Sequence, residues 1–567
     1  MSCIQGLPRK GIIGHNLSMP TREQNEREHF FGAAKIIAAL TLASRVLGML
    51  RDMAIASFGS NRSTAAFIVA FQIPNLFRRL FGEGALAGAF VPVFTDTAES
   101  HGQQTASRLL ANCMGLLAVA MLVLMAVVQI GLVVWVSFWP GQWDRRLLVG
   151  LTTVMLPFMV TICLLALASA GLNCRGRFAY PAAAPILLNI FIISSAWWVS
   201  RLAGDISGKL YIVAASVTLA GIVQLAAAIL LLRSLGFSVR PKIRPVEPGI
   251  RPIMRLMLPM MLGLGFLQIS PLFDSIIIWV LSTTEHAPTI TLFGREIAKP
   301  LSAGAQMHVY TAQRLYQFPM GVLAISLAVA VFPLLSRYAS RGDLPSLRAS
   351  LTRAIRLAMM EGLAAGMGLF MLAEPITHML FVRGNFTPAD AQASAQVLRT
   401  YAIGMWAYCA YQIFSRAFFA IKQPRTPLVV SSALVVVNLA LVVVLVWLPW
   451  CGVRAFGLAT TSTAVVNTCI LMVIFRRKIQ RIGGKELAVS VARSLVCCLA
   501  MAGVLWQLGR LLQGRPAWMI VTANVPAGAA VFLAVAWVLR APEIGEILGL
   551  IRRRSSQSAS SQPADEL

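Results

Sequence analysis

Ionisable side chains, among them Arg45, Arg51, Asp52, Arg78, Arg79 and Glu83, stand between residues 41 and 92, in sequence otherwise rich in Leu, Ile, Val, Phe, Ala and Gly. Arginines outnumber carboxylates there. Arginine stays charged when desolvated, and its planar fork makes paired hydrogen bonds to phosphate oxygens. Charges inside apolar segments mostly face a water-filled cavity or a partner. This set therefore points to a cavity for a phosphate- or pyrophosphate-bearing anion. A cation exporter calls for the opposite balance of charge. Arg314, in VYTAQRLYQFPMGV, has Gln313 and Gln317 beside it and Pro319 after it. Read as helix, these polar residues cover several faces, which gives Arg314 a cavity role too.

Spacing refines the picture. Residues seven apart lie on nearly the same face of a helix. Arg45 and Asp52 share one face, and Arg51 shares another with Ser44. Gly48, between them, admits a close approach by a backbone or a ligand. Asp52 is placed to hold a neighbouring arginine. Pro74 removes a backbone hydrogen bond and predicts a kink, with Arg78 and Arg79 about one turn later. Glu83 follows Arg79 by four residues, the spacing of an intrahelical ion pair. Gly82, Gly84 and Gly88 loosen the backbone beyond. The competing reading has this helix starting later, with its charges snorkelling to an interface. So many charges near the middle of a long apolar run favour the cavity.

Other polar positions are less specific. Asp274, in QISPLFDSIIIWV, is a costly carboxylate. It fits a Na+ or H+ site, a pair with a nearby base, or a place near the outer surface. Asn438 and Thr460 offer oxygen ligands, or hydrogen bonds between helices. Glu361 and Arg416 fit packing and cavity lining equally well. The nine cysteines and six histidines show no metal-ligand spacing. No nucleophile elbow, P-loop or zinc motif appears. The chain reads as a transporter, not an enzyme. Its energy source is an ion gradient, the membrane potential or the substrate gradient.

The elements that must position these groups are membrane helices. Only 13% of the residues are charged and 57% are hydrophobic, with mean hydropathy +0.73. A soluble domain carries about 25% charged residues. The formal charge of +27 reflects basic loops, and no basic run interleaved with aromatics supports nucleic-acid binding. Residues 1–30 are polar, lack a signal-peptide pattern and read as a cytoplasmic tail. Fourteen apolar stretches then follow, at 31–58, 63–94, 107–138, 147–172, 181–202, 210–233, 253–283, 305–336, 346–373, 395–420, 427–449, 455–475, 488–512 and 517–539. Each is long enough to cross a bilayer as helix.

Even-numbered connections hold roughly twice the Lys and Arg of odd-numbered ones, which puts even loops and both termini in the cytoplasm. The Arg552–Arg554 cluster agrees. The Pro-rich connection FSVRPKIRPVEPGIRP divides the first twelve helices into two sets of six, as in transporters built from two bundles. The expected architecture is an all-α polytopic protein. It has an N-lobe (31–240), a C-lobe (241–482), a C-terminal helix pair (483–540) and a cytoplasmic tail (541–567).

SRVLGMLRD (44–52), FQIPNLFRRLFGEGALAGAFVP (71–92) and QRLYQFPMGVLAISLAVAVFPLLS (313–336) together resemble the MurJ/MviN family, within the MOP transporter superfamily. LNCRGRFAYPAAAPILLNI (172–190), FVRGNFTPAD (381–390) and RAFFAIKQPRTPLVV (416–430) extend the match. The resemblance implies two six-helix lobes around a central cavity, plus two C-terminal helices forming a hydrophobic groove. It implies a flippase in the bacterial cytoplasmic membrane. Its substrate is lipid II, the undecaprenyl-pyrophosphate-linked peptidoglycan precursor, moved from inner to outer leaflet by alternating access. Membrane lipids and cell-wall synthesis proteins are the implied partners. By motif, Arg45, Arg51, Asp52, Arg78, Arg79, Glu83 and Arg314 fall on the family's functional charges, with Arg51, Asp52 and Arg314 as its pyrophosphate triad. Asn189 matches a cavity-lining asparagine. Asp274, Asn438 and Thr460 fall where some members bind Na+.

Three departures stand out. Ala65 replaces an acid, Gln317 replaces a glutamate found in some members, and Val442 replaces an aspartate one turn after Asn438. The first two leave the cavity more positive, and the third weakens the cation site. Two other readings remain open: a flippase for another polyprenyl-pyrophosphate-linked glycan, and a non-transporting cell-wall scaffold.

Overall fold

The computed structural model describes residues 22–545, apart from 139–142, 238–239, 245–246, 285–286, 293 and 480–482. The expected tails at 1–21 and 546–567, including Arg552–Arg554, lie outside the described residues. The side chains of residues 22–35, 82–85, 87, 143, 258–260, 262–264, 266, 267 and 292 lie outside them too.

The chain is helical almost throughout. In order it forms α1 (Arg22–Ala56), α2 (Arg62–Phe77), a π-helical stretch (Arg78–Ala85), α3 (Leu86–Phe138), α4 (Trp143–Cys174), α5 (Ala179–Ser200) and α6 (Ile206–Ser234). Next come α7 (Ile250–Leu281), a hairpin of β1 (Thr289–Leu292) and β2 (Arg295–Ala298), α8 (Ala305–Val322), α9 (Ala324–Ser340), α10 (Leu344–Met371) and α11 (Ala373–Phe381). The last are α12 (Pro388–Ile403), α13 (Met405–Ala420), α14 (Arg425–Leu445), α15 (Ala455–Ile479), α16 (Gly484–Leu511) and α17 (Ala517–Val538). Among the described residues, ten helical segments are long and apolar enough to cross a membrane. Others, α1, α2 and α7 among them, carry charge or are interrupted.

Local chemistry explains the interruptions. Asn61 and Thr64 form a reciprocal capping box that starts α2. Pro74 sits inside α2, and the wider π-type winding begins at Arg78; such stretches recur at functional sites. Gly102, at φ +81°, breaks α3 and so separates the second and third apolar stretches. α8 and α9 meet at Leu323, one turn after Pro319. α12 and α13 meet at Gly404, where a β-carbon would sit 2.7 Å from Thr461 Oγ1. Two features differ from expectation. Residues 22–30, read as tail, continue the helix of α1. Ala541, Glu543 and Ile544, read as the start of the C-terminal tail, are buried.

Helices α1–α6 pack on one another, and so do α8–α10 and α12–α15. α7 touches both groups, lying against α2, the π stretch and α3 on one side and α14 on the other. α16 and α17 dock on α10 and α11. That docking includes a buried ion pair: Arg356 Nε donates to Glu543 Oε1 at 2.8 Å, and Ser490 Oγ donates to the same oxygen at 2.7 Å. Burial pushes the Glu543 carboxyl up, but Ser490 and Arg356 outweigh it and hold the group below its usual range.

The two groups meet at the end carrying the odd-numbered connections. The amide of Asn385 donates to the carbonyl of Ser57 at 2.8 Å. Three glycines permit this approach. Gly59 (φ +90°) lies against Asn385, Gly304 against Ser60, and Gly384 (φ +57°) against the Ser57 carbonyl. Arg62 reinforces the junction, binding Asp144 at 2.9 Å and stacking 3.6 Å from the Trp279 ring centre at the end of α7. Nearby, His308 of α8 pairs with Asp390 of α12 at 3.0 Å. Burial raises the Asp390 carboxyl, yet the His308 and Thr387 hydrogen bonds dominate and bring it down to about 2.

Candidate functional site

The sequence separated Arg51 and Asp52 from Arg314 by more than 260 residues, and the fold joins them. Asp52, on α1, is 2% exposed. Its Oδ1 accepts from Arg51 Nη2 at 2.7 Å, Arg51 Nε at 3.0 Å and the Tyr310 hydroxyl at 2.6 Å. Its Oδ2 lies 3.5 Å from Arg314 Nε on α8. Arg51 also donates to Asn189 Oδ1 on α5 at 3.2 Å, and Asn189 Nδ2 donates to the Ser44 carbonyl at 3.2 Å. Gly48 faces Asn189, and a β-carbon there would meet its Nδ2 at 3.8 Å, an ordinary contact.

Two guanidinium groups therefore share one carboxylate, and the cluster carries a net positive charge. Burial of an ion pair costs desolvation that close geometry and further hydrogen bonds must offset. Arg51 meets that condition, with three such bonds. Arg314 does not. Its Nε is buried without a hydrogen-bond partner among the described residues, and its Nη1 reaches only Gln317 at 3.3 Å. Its guanidinium lies 4.8 Å from the Tyr310 ring centre. Of these two arginines, Arg314 is thus the one with donor capacity left for a ligand anion.

Arg314 and Tyr310 line a cavity of about 390 Å³ bounded by α2, α7, α8, α13, α14 and α15. Arg51 and Asp52 back this wall from α1. Arg79 lines the cavity and reaches Gln268 Oε1 at 3.4 Å. Arg78 donates to Asn75 Oδ1 at 2.7 Å. Arg45 stands apart from the cluster, its guanidinium laid on Gly321 of α8. Glu83 lies in the π stretch, and its ion pair with Arg79 falls outside the described side chains. Ala65 is buried in the α2 core.

Sequence reasoning missed the amide character of the rest of the lining. Gln72, Gln268, Gln412 and Asn467 face the cavity. Gln72 Oε1 and Asn467 Oδ1 are buried acceptors without partners among the described residues. Buried polar atoms are rarely left so, and these two are suited to ligand hydroxyl or amide N–H groups. Tyr310 was missed as well, although its place four residues before Arg314 puts it on the same helical face.

Asp274, Asn438 and Thr460 line the same cavity from α7, α14 and α15. Asp274 Oδ1 is buried and without a hydrogen-bond partner among the described residues. Asn438 Nδ2 points to Thr463 Oγ1 at 3.4 Å, which leaves the amide oxygen for another contact. One carboxylate, one amide and two threonine hydroxyls form an all-oxygen donor set of the kind a hard cation takes. Val442 is fully buried and adds no oxygen. Among the described residues no cluster of three or more His, Cys, Asp or Glu exists. Arg416 lies over the Phe332 ring, and Glu361 Oε2 has no partner among the described residues.

A family model described as "Lipid II flippase MurJ" matches residues 55–525. The chain belongs to the MurJ family. The probable lipid II flippase MurJ of Vibrio cholerae is 30% identical over 529 residues, covering 89% of this chain and 95% of that protein. The probable MurJ of Bdellovibrio bacteriovorus is 28% identical over 94% of this chain and 98% of its own length. Among solved structures, a MurJ in an inward closed conformation aligns with TM-score 0.71 at 20% identity, covering 89% of this chain and 98% of that one. An inward-facing multidrug resistance transporter of the MATE family aligns with TM-score 0.61 at 14% identity, over 79% and 98%. The fold is shared with both of these transporters.

Proposed function

We propose that this chain moves lipid II from the inner to the outer leaflet of the bacterial cytoplasmic membrane. The observation that carries the reading is the Arg51–Asp52–Arg314 cluster, net positive and buried at the wall of an amide-lined cavity. The pyrophosphate engages Arg314 first, because that side chain has unused donors. It then competes with Asp52 for both arginines. The amide acceptors Gln72 and Asn467 receive hydroxyl and N–H groups of the disaccharide-peptide head. The isoprenoid tail stays in lipid.

The two helix groups, an N-lobe and a C-lobe, rock about this site to give alternating access, as in transporters with a site between two bundles. The basic even-numbered loops and both termini face the cytoplasm. Asp274, with Asn438 and Thr460, would hold Na+, or Asp274 alone a proton, and link substrate movement to an ion gradient. Enzymes that make and polymerise the cell-wall precursor are the natural partners.

The test is complementation of a lipid II flippase depletion, read as lipid II reaching the outer leaflet. Arg51→Ala and Arg314→Ala proteins that insert normally are expected to fail. Normal lipid II movement by either would overturn the pyrophosphate assignment. Normal movement by both, together with no effect of deleting the chain, would favour a scaffold.

A further inference from the structure

A second large cavity lies away from the central site, between α15 and α16. It has a volume of about 1320 Å³, with its floor on α10 and α13. α16 packs chiefly on α10 and α17, so a cleft is left beside α15. The cleft has two chemically distinct parts. Met359, Trp406, Ala410, Phe414, Met472 and Leu495 make an apolar lining. Leu495 is 46% exposed and Val489 42%, both on α16, a helix long and apolar enough to cross the membrane, so this part opens to hydrocarbon.

Arg476 and Lys485 line the other part, where α15 ends and α16 begins, and Arg493 joins the lining about two turns further along α16. Among the described residues no carboxylate pairs with any of these three. Two acids also border the cleft. Glu543 is committed to Arg356, and Glu486 is exposed at the start of α16. The balance is positive. Basic pockets between membrane helices on the cytoplasmic side bind anionic head groups.

We propose that this cleft binds one anionic glycerophospholipid, its phosphate held by Arg476, Lys485 and Arg493 and an acyl chain laid along Trp406, Phe414 and Met472. Phospholipid is the abundant amphiphile at this depth, and its joined phosphate and acyl chain match a cleft that joins basic side chains on α15 and α16 to an apolar floor on α10 and α13. Occupancy fills the space between α15 and α16, so the lipid acts as packing between the C-terminal helix pair and the helices that line the central cavity. The inference does not depend on which substrate the central cavity carries.

Native mass spectrometry of the full chain in detergent tests it, with phosphatidylglycerol, phosphatidylcholine and undecaprenyl phosphate added separately and in competition. The wild type is expected to retain one phosphatidylglycerol in preference to phosphatidylcholine. R476Q/K485Q/R493Q should bind it at least tenfold more weakly, since each basic residue near a lipid surface contributes roughly fivefold. Glu486→Gln removes the opposing charge and should bind it more tightly. Cys469→Trp, on the cleft wall, narrows the apolar part and should weaken retention while all three cations remain. Equal retention by wild type and the triple variant would overturn the proposal. So would an unchanged affinity in E486Q, or displacement of the phosphatidylglycerol by undecaprenyl phosphate, which would assign the cleft to a polyprenyl tail.

Discussion

Gly384→Ala should shift the balance between closed and open states at the end carrying the odd-numbered connections. A β-carbon at residue 384 collides with the Ser57 carbonyl, the same oxygen that accepts from the Asn385 amide at 2.8 Å. Residue 384 is also at φ +57°, and an L-residue in that region costs about 1–2 kcal/mol. That cost is paid in every state in which the turn survives, so it cancels. The collision exists only while the two helix groups touch. Relieving it sacrifices at least the one backbone hydrogen bond, worth about 1 kcal/mol net. With some residual repulsion, the closed state loses about 1–2 kcal/mol, a factor of roughly 5–30 in population.

Spin labels at exposed positions 203 and 392, with Cys3 and Cys469 replaced by serine, report the separation of the two groups in nanodiscs. The variant should gain a long-distance population that the wild type lacks. Gly59→Ala, whose β-carbon would fall 2.8 Å from the Asn385 carbonyl oxygen, should act in the same direction. Gly236→Ala is the control. Its φ is +82°, yet nothing lies within 4 Å of the added carbon. A distance distribution unchanged by G384A, or shifted equally by G236A, would refute the role of these contacts.

Other substitutions probe the remaining groups. Glu543→Ala leaves Arg356 buried without its anion, at a cost of about 3–5 kcal/mol; the unfolding midpoint should fall and α16–α17 should become sensitive to protease. Because Ser490 and Arg356 depress the Glu543 carboxyl, its contribution is complete above the ordinary glutamate pKa. It fades as pH falls through the depressed value, so acid should destabilise the wild type more than E543Q. Tyr310→Phe removes one hydrogen bond of 2.6 Å to Asp52 and should weaken transport only a few-fold, because Arg51 still holds the carboxylate. Asp52→Asn should be more damaging, leaving both arginines without their shared anion; a pyrophosphate analogue should then raise its melting temperature more than that of the wild type. Asp274→Asn should abolish any sodium dependence of lipid II movement in reconstituted vesicles, and an unchanged sodium response would remove Asp274 from ion coupling.

The sequence by itself determined the class of the molecule. Apolar runs of spanning length with few charges have no stable place but a membrane, and backbone groups there must be satisfied within helices. It also determined the sign of the site, because arginine inside such runs is costly unless something negative is to be met. The interruption of the helix after Pro74 followed from a local rule. The tertiary structure alone decided which charges meet. Helical periodicity fixes neighbours three or four residues away but is silent on partners hundreds of residues distant. So Arg45 and Asp52, aligned on one face, went different ways. Asp52 gathers Arg51, Tyr310 and Arg314, whereas Arg45 lies on Gly321. The same holds for the buried Arg356–Glu543 pair and the glycine contacts at Ser57 and Asn385. Each depends on how helices remote in the chain cross, and no local spacing encodes that crossing.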